Sequence, residues 1–263
     1  MSSTRTAMKT RLRAAALALL ALAGTAAANP LEGARQLLVV TTDGWDSSGG
    51  QLQSFERGAS GWQATAEPFA VALGRSGSAW GIGLHPAQIE QGGPHKVEGD
   101  GRSPAGVFAL GTAFGAAATA RTGLAYQPMQ ATSYCMDVPD SPLYNRIVDA
   151  DRVGAEAVAG STEPMRLDLQ DPQDVRYRQG FVVAHNPRNE PGKGSCIFAH
   201  VWREPGEATA GCTAMPGPRM AALLQWLDAD QQPRLVLLPS ADYLRLQAQW
   251  QLPPLPAVQG SAL

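Results

Sequence analysis

Two of the four histidines and two of the three cysteines fall between residues 185 and 216. The stretch holds Gly194-Ser195-Cys196-Ile197-Phe198-Ala199-His200-Val201-Trp202, a polar Pro/Gly loop, and then Thr209-Ala210-Gly211-Cys212-Thr213-Ala214-Met215-Pro216. A histidine closes an apolar, strand-like run, and a cysteine follows a glycine just ahead of a helical pattern. Nucleophilic thiol chemistry uses such a pair: the thiolate attacks, and an imidazole takes its proton or stabilises it as an ion pair. Gly211 lets the backbone approach a substrate closely, and the amides of Gly211 and Cys212 are candidate donors to an oxyanion. Three cysteines is an odd number, so at least one thiol has no disulfide partner within the chain.

Other residue types offer less. His185 closes a second apolar run and is a candidate to orient substrate or His200, against the plainer role of a hydrogen-bonded strand-end histidine. His85 and His95 sit in Gly/Pro loops and are expected to be solvated. Glu98 and Asp100 share one glycine turn, where acids more often cap backbone amides than donate protons. A zinc site from His185, Cys196, His200 and Cys212 matches neither paired-cysteine nor His-Glu-x-x-His spacing, so no metal is expected. The Gly-rich run from 74 to 83 lacks the Lys-Ser/Thr ending of a phosphate loop, and no other cofactor is indicated.

Around this chemistry the chain reads as short strands. With 44% apolar and 17% charged residues, 28 glycines and 20 prolines, it can bury a core and favours turns and strands over long charged helices. Strands are expected at 36–41, 51–56, 62–64, 69–73, 179–185, 195–201 and 234–238, with a turn-rich loop over 95–102 leading into another. Ser141 and Pro142 suit the start of a short helix over 141–153, with Tyr144, Ile147 and Val148 on one face. Met220, Leu223, Leu224 and Leu227 predict a helix over 218–230. Together these make one mainly β (α+β) domain with a few helices.

Residues 1–28 read as a secretory signal: Arg5, Lys9, Arg11 and Arg13 precede an apolar run from Ala14 to Ala23, and Ala26-Ala27-Ala28 offers a cleavage site. Met8 is an alternative initiator. The apolar run is short for a membrane span. Residues 29–250 would be the folded domain and 251–263 a loose Pro-rich tail. The first 28 residues hold four bases and no acids, so the remainder carries 17 bases against 23 acids, a net of −6. An acidic chain without a basic run is a poor nucleic-acid or anionic-membrane binder. An exported chain also meets an oxidising compartment, where two cysteines can pair.

These segments resemble the L,D-transpeptidases of the YkuD type. The likeness rests on Gly194 to His200, on Thr209-Ala210-Gly211-Cys212, and on the upstream stretch from Lys96 through Gly99-Asp100-Gly101-Arg102-Ser103-Pro104 to Phe108. Cys135-Met136-Asp137-Val138 with Tyr144-Asn145-Arg146-Ile147-Val148 looks like one branch of that family. The resemblance covers roughly residues 70 to 240. It implies a single β-sandwich or barrel domain, with Cys212 as the acyl-accepting nucleophile and His200 as its general base. It further implies peptidoglycan stem peptides as substrates: cleavage after the third stem residue, release of D-alanine, a thioester, and attack by a second stem's amine to give a 3→3 cross-link. The location implied is the periplasm or cell envelope.

The chain departs from the commoner pattern at Ala210, where that pattern has histidine, and at Ala214, where arginine is frequent. A carboxylate-binding arginine must then come from elsewhere, with Arg146 and Arg203 as candidates. Thr209, His185 and Arg146 are the candidate substrate-binding residues, and Cys135 and Cys196 a candidate disulfide that would leave Cys212 free. The expected function is an exported cysteine acyltransferase forming 3→3 cross-links. An L,D-carboxypeptidase or amidase using the same residues, and a non-catalytic cell-wall-binding domain, are the alternatives.

Overall fold

The computed structural model describes residues 29–255. The expected signal at 1–28 and the end of the expected tail, 256–263, lie outside the described residues. Strands β1 (Gln36–Thr42), β2 (Gly49–Gly58), β3 (Gly61–Ala64) and β4 (Phe69–Ala72) form a meander, followed by β5 (Ser78–Trp80) and the long β6 (Ser103–Gly115). Next come β7 (Tyr126–Pro128), β8 (Ser133–Cys135), β9 (Ile147–Asp149), a single turn of helix α1 (Ala150–Val153) and β10 (Glu163–Pro164). The chain ends with β11 (Gln179–Val183), β12 (Phe198–Val201), β13 (Thr213–Met215), α2 (Gly217–Trp226), β14 (Arg234–Pro239) and α3 (Ser240–Trp250).

Eight strands close a barrel in the order β1-β14-β6-β11-β12-β13-β4-β2, with β2 returning to β1. Closure leaves no open edge in this ring, which removes the unpaired backbone groups an open sheet would present. The fold is mainly β, an α+β domain built around one barrel. Two neighbouring pairs are parallel, β1 with β14 and β12 with β13. Buried on both faces, β1 and β14 read as near-continuous apolar runs, Leu37 to Val40 and Leu235 to Leu238. They share one core with Phe108, Trp80 and the helix residues Met220, Leu223 and Leu224.

A separate small sheet, β10-β8-β9, lies beside the barrel. The Cys135–Cys196 disulfide ties its central strand to the loop before β12, across a Cα–Cα distance of 5.9 Å. Beneath this tie a second apolar cluster joins Phe114, Phe198, Tyr177, Cys135, Cys196 and Cys212. Its three aromatic rings pack edge to face with centroids 5.1 to 5.9 Å apart, the arrangement that aligns ring edges with π faces.

Five expectations need correction. No helix spans 141–153: Asn145 takes a positive φ of 61°, and Ile147 to Asp149 pair with β8, leaving only α1. β12 starts at Phe198 rather than 195, because Gly194 and Cys196 both have positive φ and turn the chain out of line. β11 ends at Val183, short of His185. α2 ends at Trp226, where Leu227 turns extended and buries its side chain in the core. The tail's first residues are docked: Leu252 and Pro253 are buried, and the Pro253 carbonyl accepts bonds from Tyr243 and Gln247 of α3.

Candidate active site

β12 and β13 carry the two residues at the centre of the site. Their parallel register sets Ala199 against Thr213 and His200 against Ala214, so Cys212 lies just ahead of β13 and one diagonal step from His200. Paired positions project to the same face of a sheet. His200 and Cys212 accordingly line one cavity, with a volume of about 280 Å³.

The strand turn holding Cys212 is fixed by hydroxyls. Thr209 Oγ1 donates to the Cys212 carbonyl at 2.7 Å and accepts the Gly211 amide at 3.1 Å. Ser103 Oγ donates to the same carbonyl at 3.0 Å and accepts the Gly74 amide at 2.9 Å. The backbone of Thr209 pairs with Leu73 and Arg75. At Gly74 a Cβ would lie 2.3 Å from the Gly101 carbonyl oxygen, so only glycine allows these segments to meet. Thr209 therefore braces the Cys212 backbone, its hydroxyl bonded on both sides rather than free for a ligand. Gly211's amide, expected to help bind an oxyanion, is already committed to that hydroxyl.

Cys212 is the free cysteine among the described residues and is nearly enclosed. Its Sγ accepts the Phe198 amide at 3.3 Å and lies 3.5 Å from the Cys196 carbonyl oxygen. Burial first, and the Glu163 charge second, push its pKa up to about 12. His200 is equally buried, which pulls its pKa down to about 4 against the opposing bond to Val201. The resting pair is thus a neutral thiol and a neutral imidazole, not an ion pair. His200 Nδ1 sits 2.7 Å from the Val201 carbonyl, which can only accept, so the proton is assigned to Nδ1 and Nε2 carries the lone pair. That is the tautomer a general base needs.

The expected neighbours divide. His185 does not line the cavity: Nδ1 accepts the Ile82 amide at 3.2 Å and Nε2 bonds the Lys193 carbonyl at 2.8 Å, a satisfied buried histidine. Arg146 is exposed and away from the cavity, whereas Arg203 lines it, paired with Glu207. His85, expected in solvent, is buried, with Nδ1 accepting the Val107 amide at 3.1 Å. His95 is exposed beside Glu90. Asp100 caps the Val97 and Arg102 amides as expected. Glu98 instead lines the cavity, accepting from Tyr144 and, at 2.8 Å, from Ser195. Asn145 accepts the Cys196 amide at 2.9 Å and donates to the 185 and 186 carbonyls, holding the disulfide loop. Glu98 and Ser195, far apart in sequence, thus meet at one wall, with Tyr144 bonded to Glu98 and the adjacent Asn145 bonded to the disulfide loop.

Sequence reasoning missed the other wall. Glu163, Tyr177, Arg176 and Asp137 also line the cavity. Tyr177 donates to Glu163 Oε1 at 2.6 Å and sets its ring edge-on to His200 at 5.3 Å. Their signal was weak because Glu163 sits in a Ser/Thr/Pro run and Tyr177 between two arginines, where solvated loop is the ordinary reading. Among the described residues no cluster of histidine, cysteine and carboxylate side chains is arranged to hold a metal ion. No helix there is long and apolar enough to cross a membrane.

No family model matches the chain, and no curated protein matches it. Among solved structures, similarity is found to the crystal structure of the helical cell shape determining protein Pgp2 from Campylobacter jejuni. The sequences are 12% identical, the TM-score is 0.33, and the match covers 78% of this chain. The chain spans about half of that structure's length, 48%.

Proposed function

We propose that this chain is an exported cysteine acyltransferase of the L,D-transpeptidase type, a divergent branch that forms 3→3 peptidoglycan cross-links. The observation that carries the reading is the pairing at the cavity of a free thiol, Cys212, with a histidine whose Nε2 is unprotonated. Such a pair suits acyl transfer through a covalent intermediate. His200 Nε2 takes the thiol proton as Sγ attacks the carbonyl carbon of the stem's third residue. The C–N bond breaks, the departing D-alanine amine receives that proton, and a thioester remains on Cys212. A second stem's amine then attacks the thioester, forming the amide and returning the thiol.

Incubation with disaccharide tetrapeptide, read by mass spectrometry beside Cys212→Ala, tests the proposal. Cross-linked dimer from the native chain and none from the variant is the expected result. Release of D-alanine without dimer for any acceptor points to an L,D-carboxypeptidase. Equal binding to sacculi by both chains, with no product from either, overturns the enzyme reading in favour of a cell-wall-binding domain.

A further inference from the structure

We propose that Glu163 receives the ammonium group of the acceptor and so specifies an amine over water in the second half of the reaction; this rests on the acyl-enzyme reading above. The charges lining the cavity support it. Each lining cation is already matched by an acid of the protein: Lys96 by Asp100, Arg176 by Asp174, and Arg203 by Glu207. Glu163 makes no ion pair among the described residues, and Arg176, whose charge acts on it, is engaged with Asp174. Asp137, held by Thr162, and Glu98, held by Tyr144 and Ser195, are further lining acids without an ion pair, and the contact through Tyr177 to His200 singles out Glu163 among them. A cationic ligand group entering the cavity therefore finds a carboxylate without a counter-charge, which favours it over a neutral one.

The placement of Glu163 also suits the timing. Tyr177 joins it to His200: the phenol oxygen bonds the carboxylate, and the ring packs on the imidazole. Pairing of β10 with β8 sets Glu163 opposite Cys135, whose disulfide partner Cys196 offers its carbonyl to the nucleophile's sulfur. Burial raises the carboxyl to about 7, with Tyr177 and Arg176 opposing and Asp137 reinforcing that rise. A carboxylate raised in this way is a stronger general base toward an ammonium than one at the ordinary value.

The proton account closes. The acceptor R–NH3+ gives one proton to the Glu163 carboxylate and becomes a neutral nucleophile. Its nitrogen attacks the thioester carbonyl, the C–S bond breaks, and the second proton passes through His200 to the Cys212 sulfur. The products are the amide, the free thiol and a protonated Glu163, which releases its proton to solvent.

The decisive measurement is the ratio of cross-linked dimer to hydrolysed tripeptide under one donor and a series of acceptor concentrations. This ratio does not depend on how fast the thioester forms. Glu163→Gln keeps an acceptor for Tyr177 but removes the charge, and a lost charged hydrogen bond should lower the ratio by about tenfold and raise the acceptor KM. An unchanged ratio, or loss of dimer and tripeptide alike, overturns the assignment. If Glu163→Gln does not fold, Glu163→Asp draws the carboxylate back by one methylene and should lower the ratio in the same direction; no change again overturns it. A native chain that forms a thioester yet only hydrolyses it refutes the Glu163 role alone. A native chain that forms no thioester refutes the acyl-enzyme reading itself.

Discussion

The backbone amide of Phe198 donates to Cys212 Sγ at 3.3 Å, while the same sulfur lies 3.5 Å from the Cys196 carbonyl oxygen. The approach to a carbonyl oxygen suits a protonated thiol, which can donate to it, better than a thiolate, which cannot. The hydrogen bonds and the enclosure of the site thus agree on the resting state. Under the proposed chemistry, activation would then fall to His200 on substrate arrival rather than to a standing ion pair.

Alkylation of Cys212 by iodoacetamide tests that state. Only the thiolate reacts, so with a pKa near 12 the rate should climb about tenfold per pH unit from pH 7 to 10 without levelling off. Mass spectrometry of the modified peptide gives the rate. A plateau below pH 9 would mean a thiolate–imidazolium pair, contrary to the arrangement found here.

Thr209 offers a second test, since its hydroxyl both donates to the Cys212 carbonyl and accepts from Gly211. Thr209→Val keeps the shape but leaves the buried Gly211 amide without a partner and the Cys212 carbonyl with Ser103 alone, at a cost on the order of 1–3 kcal/mol. Thioester formation should slow by about tenfold or more, and Thr209→Ser should restore most of it. Equal rates for Val and Ser would show that the hydroxyl does not hold the nucleophile.

The barrel strands were legible because 36–41 and 234–238 are apolar runs and 51–56 alternates as a half-buried strand does; all three stand within a residue or two of the observed strands. Cys212 and His200 were legible because glycine and strand patterns framed them. α3 was missed although Pro239, Ser240 and Asp242 mark its start and Tyr243, Leu246 and Trp250 share its buried face, because it follows β14 with no intervening loop. Tyr144, Ile147 and Val148 carried helical spacing, yet the positive φ of Asn145 and the pairing with β8 overrode it. Glu163 could not be placed at the site from spacing, because the small sheet and its disulfide bring it there, and Tyr177 arrives just ahead of β11, whose pairing with β12 sets it beside His200.

Stability should fall as pH drops from 6.5 to 4. His85, His185 and His200 are each held near 4 by burial, below the value of 6.5 they regain on unfolding. In that window the unfolded chain binds more protons, so acid favours unfolding and the histidine contribution is complete only above pH 6.5. Glu163 and Glu90, both raised, act in the opposite sense and offset part of it. A net uptake of about two protons implies a slope on the order of 3 kcal/mol per pH unit. Urea midpoints measured across this range should fall steadily, and a flat profile would show that these histidines are not held neutral.

The Cys135–Cys196 bond closes a loop with a sequence separation of 61, and it alone joins the small sheet covalently to the strand leading into His200. Chain-entropy arguments assign a cross-link of that span about 4 kcal/mol. Changing both cysteines to serine should lower the denaturation free energy by that order and loosen the wall that carries Glu163. The free thiol count distinguishes the pairings. The unfolded, unreduced chain should show one reactive thiol, located at Cys212 by peptide mapping, and reduction should expose two more. A bond from Cys212 to either of the others would block the nucleophile, so finding the single thiol at Cys135 or Cys196 would refute both the pairing and the proposed chemistry. With the pairing intact, the double serine variant should lose cross-linked dimer relative to tripeptide, because Glu163 reaches the cavity through the sheet that the disulfide anchors.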